Sequence, residues 1–154
     1  MSDILVGIIL GSASDAPLLE PCRQVLDRLG IGHESLVASA HRTPDKVAAY
    51  ARDARARGLK VLIAMAGLSA ALPGALAAHC TLPVIGVPVV AGPLSGLDAL
   101  LAMAQMPRGV PVATVAIGAG GAANAALLAA AILSLSDDSL ARKLEIYREE
   151  WSQS

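Results

Sequence analysis

Runs of consecutive aliphatic residues are the feature that most restricts how this chain can fold. Residues 4–10, 60–66 and 82–87 are rich in Ile, Leu, Val and Ala and nearly lack polar side chains. A strand that is apolar at successive positions is buried on both faces, as in a parallel sheet covered by helices. Weaker runs at 31–38 and 110–117 have the same character. The sequence therefore predicts five parallel strands.

Between these runs, apolar residues recur at helical spacing. From Leu18 to Leu29 they form one face of a helix, and Gly30 is suited to end it. Pro21 is expected to kink this helix or to delay its regular part. Four further helices are predicted at 44–57, 75–80, 97–105 and 122–133, and a last one follows Ser136 as its N-cap.

Alternating strands and helices predict an α/β fold. We expect a flavodoxin-like, three-layer, doubly wound five-stranded parallel sheet with an extra C-terminal helix. No linker or internal repeat is visible, which predicts a single domain over residues 1–154. Cys22 and Cys80 lie in apolar runs without metal-ligand spacing, so both are interpreted as core residues.

The composition limits which kinds of partner and which cellular location the chain can have. Net charge is −1 and aromatic content is 2%, which argues against a nucleic-acid surface. Hydrophobic content is 55%, so we expect other subunits to cover part of the surface. The apolar stretch 118–135 is too short and too rich in Gly and Ala for a membrane span. The N-terminal residues lack the basic region of a signal peptide, which predicts a cytoplasmic protein.

The turn after the second predicted strand contains His41 and Arg42. Thr43 is a suitable N-cap and Pro44 a suitable first residue for the following helix. Ligands bind at such turns in open α/β sheets. An imidazole beside a guanidinium suggests a proton-transfer group next to an anion anchor. A solvated loop charge and a capping imidazole explain these two residues equally well.

Two glycine-rich turns could bind phosphate. After the first strand, the hydroxyls of Ser12 and Ser14 suit a phosphate, and Asp15 suits a ribose, although capping by Ser14 or Asp15 is the simpler explanation. The turn lacks the Lys of a P-loop. Residues 118–123 fit a dinucleotide pattern but have no later strand to supply the acidic partner, so we interpret them as a helix-packing segment. No metal or acyl-transfer motif is present.

Several segments, taken together and in order, are more specific than any one alone. In combination they resemble the 5-(carboxyamino)imidazole ribonucleotide mutase family of purine biosynthesis, over about residues 5–133. The segments are Gly11-Ser12-x-Ser14-Asp15, Ser39-Ala40-His41-Arg42-Thr43-Pro44, Leu72-Pro73-Gly74, Gly86-Val87-Pro88, Gln105-Met106-Pro107-Arg108-Gly109 and the alanine-rich run around Asn124.

This resemblance implies a flavodoxin-like subunit in a homo-octamer, with no metal, ATP or organic cofactor. It implies migration of a carboxylate from the exocyclic nitrogen of an aminoimidazole ribonucleotide to a ring carbon, with His41 as general acid–base. The loop 67–74 would enclose carbon dioxide. Ser12, Asp15 and Arg42 would contact the ribose phosphate. The other expected substrate-binding residues are Ser14, Ser39, Gly67, Ser69 and Leu72.

One departure from the family pattern leaves alternatives open. Many mutases have a second His before Leu-Pro-Gly, where this chain has Ala71, and Ser69 also resembles the related carboxylases that use carbon dioxide directly. Arg42 instead resembles the mutases. His79 does not align with the missing His and is interpreted as structural, as is His33 in its strand. A non-purine carboxylase, a mononucleotide-binding module and a link to a carbamate-forming synthetase also stay open.

Overall fold

The computed structural model describes residues 3–153. Its centre is a parallel five-stranded sheet with the order β2-β1-β3-β4-β5. This is the flavodoxin-like order, so the predicted fold is confirmed. The strands are β1 (Ile4–Leu10), β2 (Gly32–Val37), β3 (Val61–Ala66), β4 (Val84–Pro88) and β5 (Ala113–Thr114).

Helices cover both faces of this sheet. A 3-10 helix over Ala13–Leu18, which contains Pro17, leads into the first α-helix. Pro21 was expected to kink or delay the helix, but it lies in the first turn of the regular helix, where its missing N–H is tolerated. Gly30 ends that helix in a left-handed conformation with φ +74°. The α-helices are α1 (Leu19–Leu29), α2 (Pro44–Ala54), α3 (Leu72–His79), α4 (Leu97–Ala104), α5 (Ala119–Ser134) and α6 (Asp138–Ser152).

The core has two layers, one on each side of the sheet. Alternate residues of β3 point to opposite layers: Ile63 packs into the layer of α1, α5 and α6, and Leu62 into that of α2, α3 and α4. Cys22 is buried in the first layer, and Cys80 packs at the edge of the second, both as free thiols. Within the described residues, no helix has the length and hydropathy needed to cross a membrane.

The predicted fifth strand is much shorter than expected. Residues 110–117 were predicted to form it, but only Ala113 and Thr114 pair with β4. Pro111 lacks the N–H that a ladder requires, and the strand lies at the edge of the sheet. Val115 donates one further backbone hydrogen bond to the Gly86 carbonyl, at 3.1 Å.

Four helix boundaries also differ from the prediction. Helix α3 begins at Leu72, because Pro73 fits the first turn of a helix. Helix α5 begins at Ala119, so its glycines belong to the helix. Helix α2 ends at Ala54 instead of residue 57. The N-cap of α6 is Asp137 instead of Ser136, since the Asp137 carboxylate accepts hydrogen bonds from the two N–H groups of Ser139 and Leu140.

Candidate active site

The carboxyl ends of β1, β2 and β3 surround a cavity of about 480 Å³. Its walls come from the turns that follow these three strands, with Ala91 added from the turn after β4. The strand order reverses around β1, and open α/β sheets bind ligands at such a point. The cavity wall includes all the residues predicted for the site, which are Ser12, Ser14, Asp15, Ser39, His41, Arg42, Gly67, Ser69 and Leu72.

The turn after β1 is built around a capping box. Ser12 is the N-cap of the 3-10 helix, and its hydroxyl accepts a hydrogen bond from the Ser14 N–H at 3.3 Å. The Asp15 carboxylate accepts one from the Ser12 N–H at 3.0 Å. The simpler explanation given for this turn, capping by Ser14 or Asp15, is therefore correct for Asp15. The hydroxyl of Ser12, and not that of Ser14, caps the helix. These residues nevertheless line the cavity as well.

Asp15 is the one charged side chain in residues 3–153 that is buried. Burial raises the pKa of the Asp15 carboxyl, because water no longer stabilises its charge. The Ser12 N–H and the positive charge of Arg42 oppose this and lower the pKa, but burial has the larger effect. The cavity wall therefore contains a carboxylate whose charge is only partly compensated by protein groups.

The turn after β2 is held by hydrogen bonds between Ser39 and the residues that follow it. The Thr43 hydroxyl accepts from the Ser39 N–H at 2.9 Å and donates to the Ser39 carbonyl at 3.1 Å. Thr43 is the N-cap of α2 by position, but its hydroxyl is used in this turn and not on the helix N–H groups. The Ser39 hydroxyl accepts from the Arg42 N–H at 3.1 Å. These bonds fix the backbone that carries His41 and Arg42.

Arg42 connects the turns after β1 and β2. Its Nη2 atom donates to the Gly11 carbonyl at 3.4 Å, and the side chain is otherwise open to solvent. A guanidinium has five N–H donors, so most of them stay available to an anion. Arg42, Ser12 and Ser14 thus add one positive charge and two hydroxyls to the cavity wall.

The turn after β3 positions His41. The Nε2 atom of His41 lies 2.9 Å from the carbonyl oxygen of Ser69. The predicted loop 67–74 is in fact shorter, since Leu72 is already the first residue of α3 and is buried. The wall formed by this turn is mostly aliphatic, with Ala66, Ala70, Ala71 and Leu72.

Sequence reasoning missed two residues beside this turn. Leu68 lines the cavity in a left-handed backbone conformation, with φ +54°. It lies over Gly92, where a Cβ atom would come 2.6 Å from the Leu68 Cδ2 atom. No sequence signal marks Leu68, because a leucine does not predict a positive φ. Gly92 follows the fourth predicted strand, and that placement was its only indication.

A family model described as AIR carboxylase matches residues 5–154. The chain belongs to the AIR carboxylase family. The N5-carboxyaminoimidazole ribonucleotide mutase of Bacillus subtilis is 56% identical over 149 residues, which cover 97% of this chain and 92% of that protein. The enzyme of the same name from Vibrio vulnificus is 53% identical over 149 residues, which again cover 97% of this chain and 92% of that protein. The crystal structure of Treponema denticola PurE superposes with a TM-score of 0.87 at 32% identity, covering 97% of this chain and 92% of the other.

The other polar residues considered in the sequence lie outside the cavity of this AIR carboxylase-family chain. His79 is exposed at the end of α3. His33 is largely buried in β2, with its Nδ1 atom 3.0 Å from the Ile31 carbonyl. Asn124 is exposed on α5. Among residues 3–153, no three His, Cys, Asp or Glu side chains are grouped as metal ligands would be.

Proposed function

We propose that this chain is an N5-carboxyaminoimidazole ribonucleotide mutase in purine biosynthesis. The substrate would carry a carboxylate on its exocyclic nitrogen, and the product would carry it on the adjacent ring carbon. The observation that supports this most directly is the shared cavity, where an imidazole, a guanidinium and a buried carboxylate come together. The two mutases that are 56% and 53% identical to the chain over 149 residues support the same reaction.

The polar side of the cavity suits the ribose phosphate. Arg42 offers a fixed positive charge. The Ser14 hydroxyl donates to the Ser12 hydroxyl at 2.9 Å, which leaves the Ser12 hydroxyl as a neutral donor to the phosphate. Asp15 accepts hydrogen bonds, so we assign it to a ribose hydroxyl. Ser39 and Gly67 complete this part of the binding site. A volume of about 480 Å³ is in the range that holds a mononucleotide-sized ligand.

His41 would act as acid and then as base in one catalytic cycle. The imidazolium gives a proton to the carbamate nitrogen as its bond to the carboxyl carbon breaks, which releases carbon dioxide. The enamine-like ring then attacks that carbon dioxide through its ring carbon. Neutral His41 finally removes the hydrogen from the same ring carbon, and the aromatic ring is restored. The imidazole ends the cycle protonated, so no other proton donor is consumed.

The aliphatic wall after β3 would hold the carbon dioxide between these steps. Ala70, Ala71 and Leu72 present methyl and methylene groups to the cavity, and Ala70 and Leu72 are buried. Such a surface offers carbon dioxide no hydrogen bonds and keeps water away from it. Retention of the released molecule favours recombination at the ring carbon over escape to solvent.

A direct carboxylase that takes free carbon dioxide is the second candidate, and one specific observation favours it. Ala71 lines the cavity at the position where many mutases of the resembled family have a second His. A methyl group at this position cannot exchange protons. If the carbamate route needs that second imidazole, the chain would instead carboxylate plain aminoimidazole ribonucleotide.

A carboxyl-source assay separates the two candidates. Purified protein would receive either the carbamate-bearing ribonucleotide, with carbon-13 in the carbamate and unlabelled bicarbonate present, or aminoimidazole ribonucleotide with labelled bicarbonate. Rapid formation of product that keeps the carbamate label would support the mutase. Turnover only from bicarbonate would establish the carboxylase. No turnover with either substrate would contradict both candidates, provided that the protein is folded.

We also propose a homo-octamer that acts in the cytoplasm and uses a carbamate made by a separate synthetase. Helix α5 is buried inside the chain, against α1 and α6, so its burial does not support assembly. Exposed Leu94, Leu97 and Leu101 do support it, because a soluble surface rarely leaves such residues together. Light scattering should give the mass of eight 15.6 kDa chains, and a monomeric mass at micromolar concentration would contradict this.

A further inference from the structure

We infer that the Ser69 carbonyl keeps a proton on Nε2 of His41, so that Nδ1 is the nitrogen that exchanges protons with the substrate. We further infer that Leu68 is the positioning residue that aims this carbonyl. Both statements rest on the proposed function insofar as they take His41 to be the acid–base. The tautomer itself is a property of the free protein and is tested without substrate.

The tautomer follows from the chemistry of the contact. The Nε2 atom of His41 lies 2.9 Å from the Ser69 carbonyl oxygen, and a carbonyl oxygen can only accept a hydrogen bond. Nε2 must therefore carry a hydrogen whether the ring is neutral or protonated. A neutral imidazole has only one N–H, so its lone pair is then on Nδ1. Within residues 3–153, Nδ1 makes no hydrogen bond to protein and stays available to a ligand.

The backbone around Leu68 explains why the carbonyl is in this place. The Ala70 N–H donates to the Leu68 carbonyl at 2.9 Å, and the Ala71 N–H donates to the Ser69 carbonyl at 2.8 Å. These two tight turns follow directly after the left-handed Leu68. One lone pair of the Ser69 oxygen thus serves Ala71, and the other is free for His41. The Ser69 carbonyl can therefore hold the ring without losing its place in the turn.

A left-handed backbone is unfavourable for leucine, and it persists where its surroundings impose it. Here the Leu68 side chain occupies the space that a Cβ atom at Gly92 would need, and Ala70 is buried below the turn. Strain held beside a proposed catalytic imidazole points to a positioning role. The positive φ at Leu68 is thus explained by the direction that it gives to the next carbonyl.

The tautomer assigns an atom to each proton transfer. In the first step the Nδ1–H of the imidazolium donates its proton to the carbamate nitrogen. In the last step the Nδ1 lone pair takes the hydrogen from the ring carbon. The Nε2–H keeps its hydrogen bond to the Ser69 carbonyl throughout, which holds the ring in one orientation.

The direct test is nitrogen-15 NMR of histidine-labelled full-length protein at alkaline pH, where imidazoles are neutral. The chain has three histidines, and the His41→Gln variant identifies the signals of His41. We expect a protonated Nε2 and an unprotonated Nδ1 at His41. His33 is an internal control with the opposite expectation, because its Nδ1 atom faces the Ile31 carbonyl. An unprotonated Nε2 at His41, or an equal mixture of tautomers, would overturn the inference.

A pair of variants tests the role of Leu68. Asn and Val are similar in size, but Asn tolerates a left-handed backbone and a β-branched Val does not. Leu68→Val should give a mixture of His41 tautomers and a larger fall in kcat than Leu68→Asn, while KM changes equally in both. Equal falls in kcat with an unchanged tautomer would refute the positioning role. Failure of the wild type to turn over would refute the proposed function and leave the NMR result to decide the tautomer.

Discussion

The turns after β2 and β3 and the turn before α5 are all rich in small residues, yet they differ in what they do. The first two carry His41, Arg42 and Ser69 to the wall of a cavity. The turn before α5 carries no charged side chain and brings Gly121 directly against the Ala116 carbonyl, which leaves no room for a Cβ atom. Small residues there allow a helix to pack closely on the preceding chain.

The difference shows what converts a strand–helix turn into a binding site. All these turns lie at the carboxyl ends of parallel strands, and each contains glycine or alanine. The cavity forms where the strand order reverses around β1, and the turns after β1, β2 and β3 line it together. A glycine pattern alone does not distinguish the two cases, and the presence of an ionisable side chain does.

The strongest test of the turns that line the cavity is His41→Gln. Loss of a general acid–base usually lowers the rate by about 10²–10⁴-fold, and we expect kcat to fall in that range while KM changes little. Steady-state kinetics with the carbamate substrate would measure both. His79→Gln is the matched control, because His79 is exposed at the end of α3 and outside the cavity. Equal activity in the two variants would remove His41 from the mechanism.

The strongest test of the packing at the turn before α5 is Gly121→Ala. The new methyl group would collide with the Ala116 carbonyl, so we expect the free energy of unfolding to fall by about 1–3 kcal/mol or more. Gly120→Ala is the control, since a Cβ there would meet no described atom within 4 Å. It should raise stability slightly, because Ala favours a helix over Gly. Chemical denaturation would measure both variants, and equal stability would show that close packing does not explain this turn.

Arg42→Gln should have a smaller effect, confined to binding. A hydrogen bond to a charged group contributes about 1.5–3 kcal/mol, so we expect KM to rise roughly tenfold to a hundredfold with kcat nearly unchanged. The helix α2 offers a control in Arg52, which is exposed and does not line the cavity. Arg52→Gln should leave both constants as they are. A fall in kcat without a change in KM would show that Arg42 does not anchor the phosphate.

The sequence was sufficient to predict the parts of the fold that depend on burial. The strands β1 and β3 are apolar at nearly every position, and their extents were close to the prediction. The edge strand β5 was overestimated, because Pro111 and the lack of a second neighbour shorten a ladder that aliphatic content alone suggests. The start of α5 was also predicted wrongly, because glycine occurs both in turns and at helix ends and does not distinguish them.

The residues that line the cavity were also predictable, but the geometry among them was not. The residue types of His41 and Asp15, and their positions after buried strands, indicate a role in binding or proton transfer. The contact between His41 and the Ser69 carbonyl depends on a backbone atom, and every residue has the same carbonyl. Leu68, whose φ is positive, packs against Gly92, which is distant in sequence. Tertiary contacts, and no local pattern, fix these features.

Asp15→Asn gives the smallest expected effect, and it tests the cost of placing a carboxylate in the cavity wall. Burial raises the pKa of Asp15, so between its unfolded value of 3.8 and the higher folded value the native state binds more protons than the unfolded state. Stability that the protonated group contributes at low pH is therefore lost as pH rises through this window. Asp15→Asn keeps an acceptor for the Ser12 N–H but cannot ionise. It should unfold at a higher temperature than the wild type at neutral pH, and the difference should shrink below pH 3.8.

Asp53→Asn, on the exposed face of α2, should change neither the melting temperature nor its pH dependence. A wild-type protein that is stabilised by ionised Asp15 at neutral pH would give the opposite sign and would show that Arg42 and the Ser12 N–H outweigh burial. Substrate should reverse the order of the two melting temperatures, because a ribose hydroxyl bound to Asp15 would supply a donor in addition to the Ser12 N–H. The carboxylate would then be a group whose unfavourable burial in the free enzyme is offset only when the ligand binds. That reversal, measured as the ligand-induced shift in melting temperature, distinguishes a binding carboxylate from one that serves the capping box alone.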